Sequence, residues 1–338
     1  MTGRTVNRGR KWPSWGLAAC SIAYGALAIV SGAVAGPADG DPETDRPGQT
    51  DIERLRELHH TEQEQVRLVQ VPAVVTNRRG KMVHGLEKSD FLLYEDYVPQ
   101  TIKYINTETD QPVAIAFLLD VSGSMRQAGK LEEAKEAIGV FVNELQEGDL
   151  IGLVCFADDQ VAWVTDFTSD RNRFLRRLGV QEGYGQTALF DALAATPQLV
   201  DEKVKGSKAI VLFTDGVDTA STMSTFDSLQ LARSVNVPIY AVGFASFASR
   251  VIARGGTPQA HRTVELFADE TGGRLFPVYD PDDLKEVVLE IQSELRFRYL
   301  ISYRPTRRLW DGTFRRIKLE TVNGGLSVRA RTGYYANP

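Results

Sequence analysis

Across 338 residues, 39 basic against 44 acidic side chains leave a net charge of −5, and 43% of the chain is hydrophobic and 25% charged. Those proportions exclude wholesale disorder, a collagen-like repeat and a polytopic membrane protein, and the length allows a sizeable core divided over about two domains. The two cysteines, Cys20 and Cys155, lie far apart in unlike surroundings, which excludes a disulfide framework. The histidines, His59, His60, His84 and His261, offer no zinc-ligand spacing beyond the adjacent pair, which reads as solvated.

At the amino terminus Arg4, Arg8, Arg10 and Lys11 precede a stretch with no ionised residue until Asp39. The basic segment, the apolar run from Gly16 to Val34 and the small residues Ala33, Val34 and Ala35 before Gly36 predict a secretory signal over residues 1–35. The same run is long enough to serve as an uncleaved membrane anchor, so both readings stand. The tetrapeptide LAAC ending at Cys20 resembles a bacterial lipoprotein box, but the apolar run continues past it, and Cys20 reads as a passenger. Losing residues 1–35 removes four positive charges and no negative ones, taking the net charge from −5 to −9. Nucleic acid and anionic membranes are then poor partners, and membrane contact is expected only through an uncleaved anchor. The expected location is exported: periplasmic, cell-surface or secreted.

Residues 36–64 lack an apolar pattern and then offer only a short helical one, which predicts a disordered or helical tether. Over 66–111, VRLVQVPAVV and FLLYED read as strands and NRRGK and EDYVPQ as turns. From 112 to 296 nearly continuous apolar runs, VAIAFLL, IGLVCF, AIVLF and VPIYAVGF, alternate with helical periodicity. Runs of that kind are strands buried on both faces, so the fold class is α/β, a Rossmann-like, doubly wound, mostly parallel sheet. VAWV, just after IGLVCF, reads as its edge hairpin partner, and Cys155 inside IGLVCF as a buried small hydrophobe.

Leu131, Ala134, Ile138, Phe141 and Leu145 form one amphipathic helix, and Leu284, Val287, Ile291 and Leu295 another. Asp280, Pro281, Asp282 and Asp283 supply a cap, a first-turn proline and favourable dipole charges for the second. β character returns in RYLISY, FRRIKLE and LSVRAR, separated by the turns WDGT and VNGG. Neither flank is long enough to build a robust core alone. Residues 66–111 and 297–336 are therefore expected to form one β-sandwich-like accessory domain, with the α/β domain of residues 112–296 inserted between them.

The first buried run of the α/β segment ends in DVSGS, which places Asp120, Ser122 and Ser124 just beyond its carboxyl edge, and AIVLF is followed by TDG with Asp215 in the equivalent place. Ligands of open α/β sheets gather at that edge, where strand order reverses. Carboxylate and hydroxyl oxygens are hard donors suited to a small divalent cation such as Mg²⁺, with Mn²⁺ or Ca²⁺ as alternatives. Singly, each residue has a plainer reading: Asp or Ser as a helix cap, Thr187 as the cap of a helix near Ala188, Asp215 as a turn former.

DVSGS, GQTALFDAL around Thr187 and FTDG together resemble the metal-ion-dependent adhesion site of von Willebrand factor A domains. The resemblance implies that Asp120, Ser122, Ser124, Thr187 and Asp215 hold the metal directly or through water, with Thr187 at the position where a bound partner changes the coordination. It further implies a protein-binding module whose metal is completed by an Asp or Glu carboxylate of a protein partner. The flanking VVTNRRGKMVHGLEKSDFLLYEDYVPQ and carboxyl-terminal RTGYYA are similar to exported VWFA-related proteins of the Acidobacterial type.

GYGQTA imitates a dinucleotide fingerprint, but no buried strand leads into it and no ribose-binding acid follows at the needed spacing. Asp191 and Asp218 are candidates for supporting the metal ligands, with a solvated face as the ordinary alternative. Arg307, Arg308 and Trp310 read as exposed groups on a turn or as a second contact surface. Two further functional classes stay open, a structural envelope protein whose metal only stabilises loops and a Mg²⁺-dependent phosphohydrolase. The second lacks the acid expected two residues after its nucleophile, because Ser122 stands there, and no GxSxG elbow, P-loop or zinc motif supplies another catalytic set, so an enzyme is not expected.

Overall fold

The computed structural model describes residues 67–108, 111–244, 259–278 and 283–337, all within the unit formed by residues 65–338. The expected signal or anchor, the tether, His59, His60, and the helix start at Asp280, Pro281 and Asp282 lie outside the described residues.

The first flank contributes β1 (Val69–Asn77), β2 (Phe91–Glu95), β3 (Val98–Gln100) and β4 (Ile102–Glu108). The middle of the chain contributes β5 (Ala114–Asp120), β6 (Leu150–Ala157), β7 (Gln160–Thr168), β8 (Lys208–Phe213), β9 (Ile239–Phe244) and β10 (Leu275–Val278). Its helices are α1 (Lys130–Asn143), α2 (Arg171–Gly179), α3 (Leu189–Lys203), α4 (Thr225–Ala232), α5 (Gln259–Thr271) and α6 (Leu284–Arg296). The second flank contributes β11 (Arg298–Tyr303), β12 (Phe314–Thr321), β13 (Leu326–Ala330) and β14 (Gly333–Tyr335).

The middle strands form a six-stranded sheet ordered β10-β9-β8-β5-β6-β7, parallel except for the antiparallel edge strand β7. All seven residues of β5 are buried, as a strand covered on both faces requires. Its side chains alternate between two cores. Ile115, Phe117 and Leu119 meet Leu131, Ile138 and Phe141 of α1, Phe174 of α2 and Ile291 of α6. Ala116 and Leu118 meet Leu189 and Leu193 of α3, Leu229 of α4 and Phe267 of α5. This is an α/β fold with a mostly parallel central sheet flanked by helices.

Strands of the two flanks pair with each other in two four-stranded sheets, ordered β13-β1-β11-β4 and β14-β12-β2-β3. β1 runs antiparallel to both β11 and β13, and β2 antiparallel to β12. Val71, Val75, Phe91, Leu93, Tyr299, Ile301, Ile317 and Leu319 join the sheets in one core. The EDYVPQ turn is narrower than the sequence suggests: Asp96 and Tyr97 make the turn with φ of 47° and 67°, while Val98 to Gln100 pair with β2.

The period-2 alternation of β12 that turns Ile317 and Leu319 inward also turns Arg315 inward, where it is fully buried. Its guanidinium donates to Glu95 Oε1 at 3.2 Å, to the Arg307 carbonyl at 2.6 Å and to the Leu309 carbonyl. Glu95 Oε2 accepts from the hydroxyls of Tyr303 at 2.6 Å and Tyr334 at 2.9 Å. Burial and the neighbouring Glu95 carboxylate raise both tyrosine pKa values, so the phenols stay protonated as donors. Trp310, rather than standing exposed on its turn, packs against this core with Arg315 over its ring.

At the base of the middle segment Asp149 accepts from Val113 N at 3.0 Å, Gln146 N at 2.8 Å and the Arg296 guanidinium at 2.5 Å. This clamp fastens the strand that enters the α/β segment to the helix that leaves it.

Breaking a buried ion pair by removing one partner costs about 3–5 kcal/mol, so Arg315→Met is expected to lower the urea midpoint of unfolding by a corresponding amount. An unchanged midpoint would refute the weight placed on this pair. Because β1 and β2 find their long partners only after residue 297, a fragment of residues 66–111 is expected to lack sheet structure by far-ultraviolet circular dichroism; a folded fragment would contradict the pairing.

Candidate metal centre

β6 and β8 flank β5 on opposite sides, so the strand order reverses at the carboxyl ends of β5 and β8, which is where open α/β sheets form their ligand crevice. Asp120 is the last residue of β5 and Asp215 stands two residues beyond β8. Asp120 is completely buried. One of its oxygens accepts from Ser122 N at 2.8 Å, and the other from the Thr214 hydroxyl at 2.7 Å. Burial outweighs these hydrogen bonds, and together with the charge of Asp215 it pushes the Asp120 carboxyl up to about 6.

After Asp120 the chain turns through an extended Ser122 into a 3₁₀ segment, Gly123–Gly129. The hydroxyls of Ser122 and Ser124 lie 3.0 Å apart. The loop bearing Thr187 lies against this turn through two backbone bonds, Gly123 N to Gly185 O at 3.0 Å and Tyr184 N to Val121 O at 2.8 Å. Gly185 has φ +65°, and a Cβ there would overlap the Asp158 carboxylate, so the approach requires glycine.

Thr187 is buried, and its backbone ties the second loop to the third. Its N–H donates to the Thr219 hydroxyl at 2.9 Å, and its carbonyl accepts from Thr219 N at 2.9 Å and Ala220 N at 3.0 Å. The Thr214 to Asp120 bond closes the ring between the third loop and the first. The structure thus gathers Asp120, Ser122, Ser124, Thr187 and Asp215 on three loops, each hydrogen-bonded to the other two.

Thr187 does not cap α3 with its side chain. That task falls to Asp218, whose Oδ1 accepts from Leu189 N at 2.9 Å and from the Ser221 hydroxyl at 2.5 Å. Asp191 accepts from Thr222 N at 2.9 Å, the Thr222 hydroxyl at 3.1 Å and Met223 N at 2.9 Å. Both carboxylates therefore pin the loop after Asp215 to the start of α3, rather than facing only solvent.

Lys130, which the sequence pattern did not single out, sends its ammonium to Asp215 Oδ2 at 2.8 Å. Only a contact across two loops reveals it, and no spacing rule could have. Tyr184 and Val217 are each about half exposed beside the crevice. Cys155 lies beneath, a buried free thiol whose pKa burial raises, in keeping with a small apolar filler and not a nucleophile.

Among the described residues no three His, Cys, Asp or Glu side chains converge on a metal position, so a site here must draw on hydroxyls. Two neighbouring carboxylates and the paired serine hydroxyls suit a hard divalent cation, and the desolvated Asp120 is a group that a cation would stabilise in its charged form.

The von Willebrand factor type A domain model matches residues 114–290. A UPF0353 protein of Mycobacterium avium is 25% identical over 54% of this chain and 61% of its own length. A Borreliella burgdorferi protein is 30% identical over 49% of this chain and 54% of its own. The chain thus spans somewhat over half the length of these curated relatives. Among solved structures, a von Willebrand factor type A protein from Catenulispora acidiphila shares 16% identity with a TM-score of 0.46, covering 73% of this chain and 74% of that one. BatB from Bacteroides thetaiotaomicron shares 20% identity with a TM-score of 0.42, covering 54% of this chain and 98% of its own. With more than half of its residues matched by the family model and the α/β sheet in place, the chain belongs to the von Willebrand factor type A domain family.

Proposed function

We propose that this protein is an exported, non-enzymatic protein-binding module of the adhesion or complex-assembly kind. In this reading Asp120, Ser122, Ser124, Thr187 and Asp215 hold a divalent cation, Mg²⁺ in the first place. Domains of this family typically serve protein interaction and often bind a divalent metal. The observation that carries the reading is the closed ring of hydrogen bonds among the three loops, which brings the segments bearing these five residues to one strand-order reversal.

A bound cation would supply a Lewis-acidic position for a carboxylate from a partner protein. The chain's own contribution is to hold the hard oxygens in place before the partner arrives, so little ordering is left to do on binding. Tyr184 and Val217 give the crevice a partly apolar rim, which suits an acidic residue flanked by apolar ones. The accessory sheets built from residues 66–111 and 297–336 form, in this reading, a separate domain that carries the module. The amino-terminal segment either leaves after export or anchors the chain, and the resemblance to the Acidobacterial-type exported proteins agrees with that placement. Among the described residues no helix is long and apolar enough to cross a membrane.

Isothermal calorimetry on the full chain is expected to register uptake of Mg²⁺ or Mn²⁺, and no uptake of either would end the metal reading. Ser124→Ala removes one hydroxyl without disturbing the bonds of Asp120, and is expected to weaken Mg²⁺ binding by about tenfold with the circular dichroism spectrum unchanged. A protein partner captured from envelope extract is expected to be lost in EDTA and with Ser124→Ala. Capture that persists in EDTA would favour a metal that only stabilises loops, and metal-dependent turnover of phosphoesters would favour the enzyme.

A further inference from the structure

Lys130 is the first residue of α1, and its backbone N–H bonds back to the carbonyls of Met125 and Gln127 in the preceding 3₁₀ segment. Its main chain is therefore fixed to the same loop that carries Ser122 and Ser124. Gly129, with φ +76°, makes the sharp change of direction that starts the helix there. From this position the side chain crosses to Asp215 on the loop after β8. The Asp215 side chain is only 3% exposed and that of Lys130 15%, so water screens the pair weakly.

We infer that Lys130 is a tethered counter-cation that competes with a divalent ion for Asp215 Oδ2 and so sets the ion's affinity for this site. The inference rests on the metal reading proposed above and assigns a role to a residue outside the five ligands. Asp215 Oδ2 already holds the Lys130 ammonium, so a divalent ion reaching that oxygen must displace it or lie beside a like charge. Affinity at oxygen sites follows the charge of the ligand set, so a permanent positive charge 2.8 Å from one carboxylate oxygen weakens the site for any divalent ion. The same contact keeps Asp215 paired and oriented while no ion holds that oxygen, which an unpaired buried carboxylate would not be. Lys130 is in these terms a positioning and affinity-determining residue, not a ligand.

A purely structural ion pair predicts the opposite sign, because an Asp215 that lost its anchor would bind an ion more weakly. The two roles separate in calorimetric titration of the full chain with MgCl₂ and MnCl₂, alongside thermal melts in EDTA. Lys130→Met is expected to raise the affinity for Mg²⁺ by about tenfold or more and to lower the melting temperature in EDTA. Lys130→Gln, which can still donate to Asp215, guards against a misfolded methionine variant and is expected to show the same gain. Lys130→Arg keeps the charge and is expected to stay within about threefold of the unaltered chain. Affinity for Mg²⁺ that is unchanged or weaker in folded Lys130→Met or Lys130→Gln overturns the inference while leaving the metal site intact. Failure of the unaltered chain and of both neutral variants to take up either ion overturns the metal reading together with it.

Discussion

A carboxylate at the end of a fully covered strand must be compensated where it stands, and this constraint on Asp120 organises the carboxyl edge of the sheet. β5 is buried on both faces because it lies at the centre of a parallel sheet with helices on each side, and that burial extends to its last residue. Asp120 has no exposed surface, and its oxygens draw on the Ser122 backbone and the Thr214 hydroxyl. Each of those bonds recruits a different loop. The shape of the crevice is thus a consequence of keeping one buried acid hydrogen-bonded.

The remaining loops extend the same logic outward. Asp218 meets the free N–H groups at the start of α3, and Asp191 holds the following turn at Thr222 and Met223. Both acids sit where their negative charge complements backbone donors, so they rigidify the rim without adding to the charge burden of the crevice. At the opposite end of the sheet, Asp149 gathers Val113, Gln146 and Arg296 and closes the base of the α/β segment. The flanking chain can then pair with itself across a long sequence separation, because its two halves leave the segment from one clamped point.

What the sequence makes legible follows from the range of the forces involved. Continuous apolar runs such as VAIAFLL report burial on both faces residue by residue, and they locate the central sheet and hence Asp120 and Asp215. β4 leaves almost no trace: it is an edge strand with Tyr104 largely exposed, so its alternation is blurred. β10 carries Pro277 within a four-residue edge strand, where a missing N–H is tolerated but the strand signal is broken. Polar partners are less legible still. FRRIKLE shows the alternation of β12, yet nothing local marks Arg315 as the inward arginine whose counter-charge, Glu95, lies 220 residues away. Lys130 and Asp215, 85 residues apart, are hidden for the same reason.

Those two buried charge sets differ in a way that separates scaffold from site. In the accessory sheets Glu95 has a full complement, with the guanidinium on one oxygen and two phenols on the other, and the group is neutral overall. At the crevice the one ammonium pairs with Asp215, and Asp120, whose carboxyl burial pushes up to about 6, has only hydrogen-bond donors on its oxygens. A set built only for stability would be expected to close its charge balance, since each uncompensated buried charge weakens the fold. The deficit is located where the strand order reverses and where hydroxyls, not further acids or bases, fill the remaining positions. In the proposed reading, a buried acid met by hydrogen bonds alone, beside a second acid and neutral hydroxyls, suits a small cation arriving from solution, and the lack of a basic partner on its oxygens separates Asp120 from Glu95 and Asp149, which each hold a guanidinium.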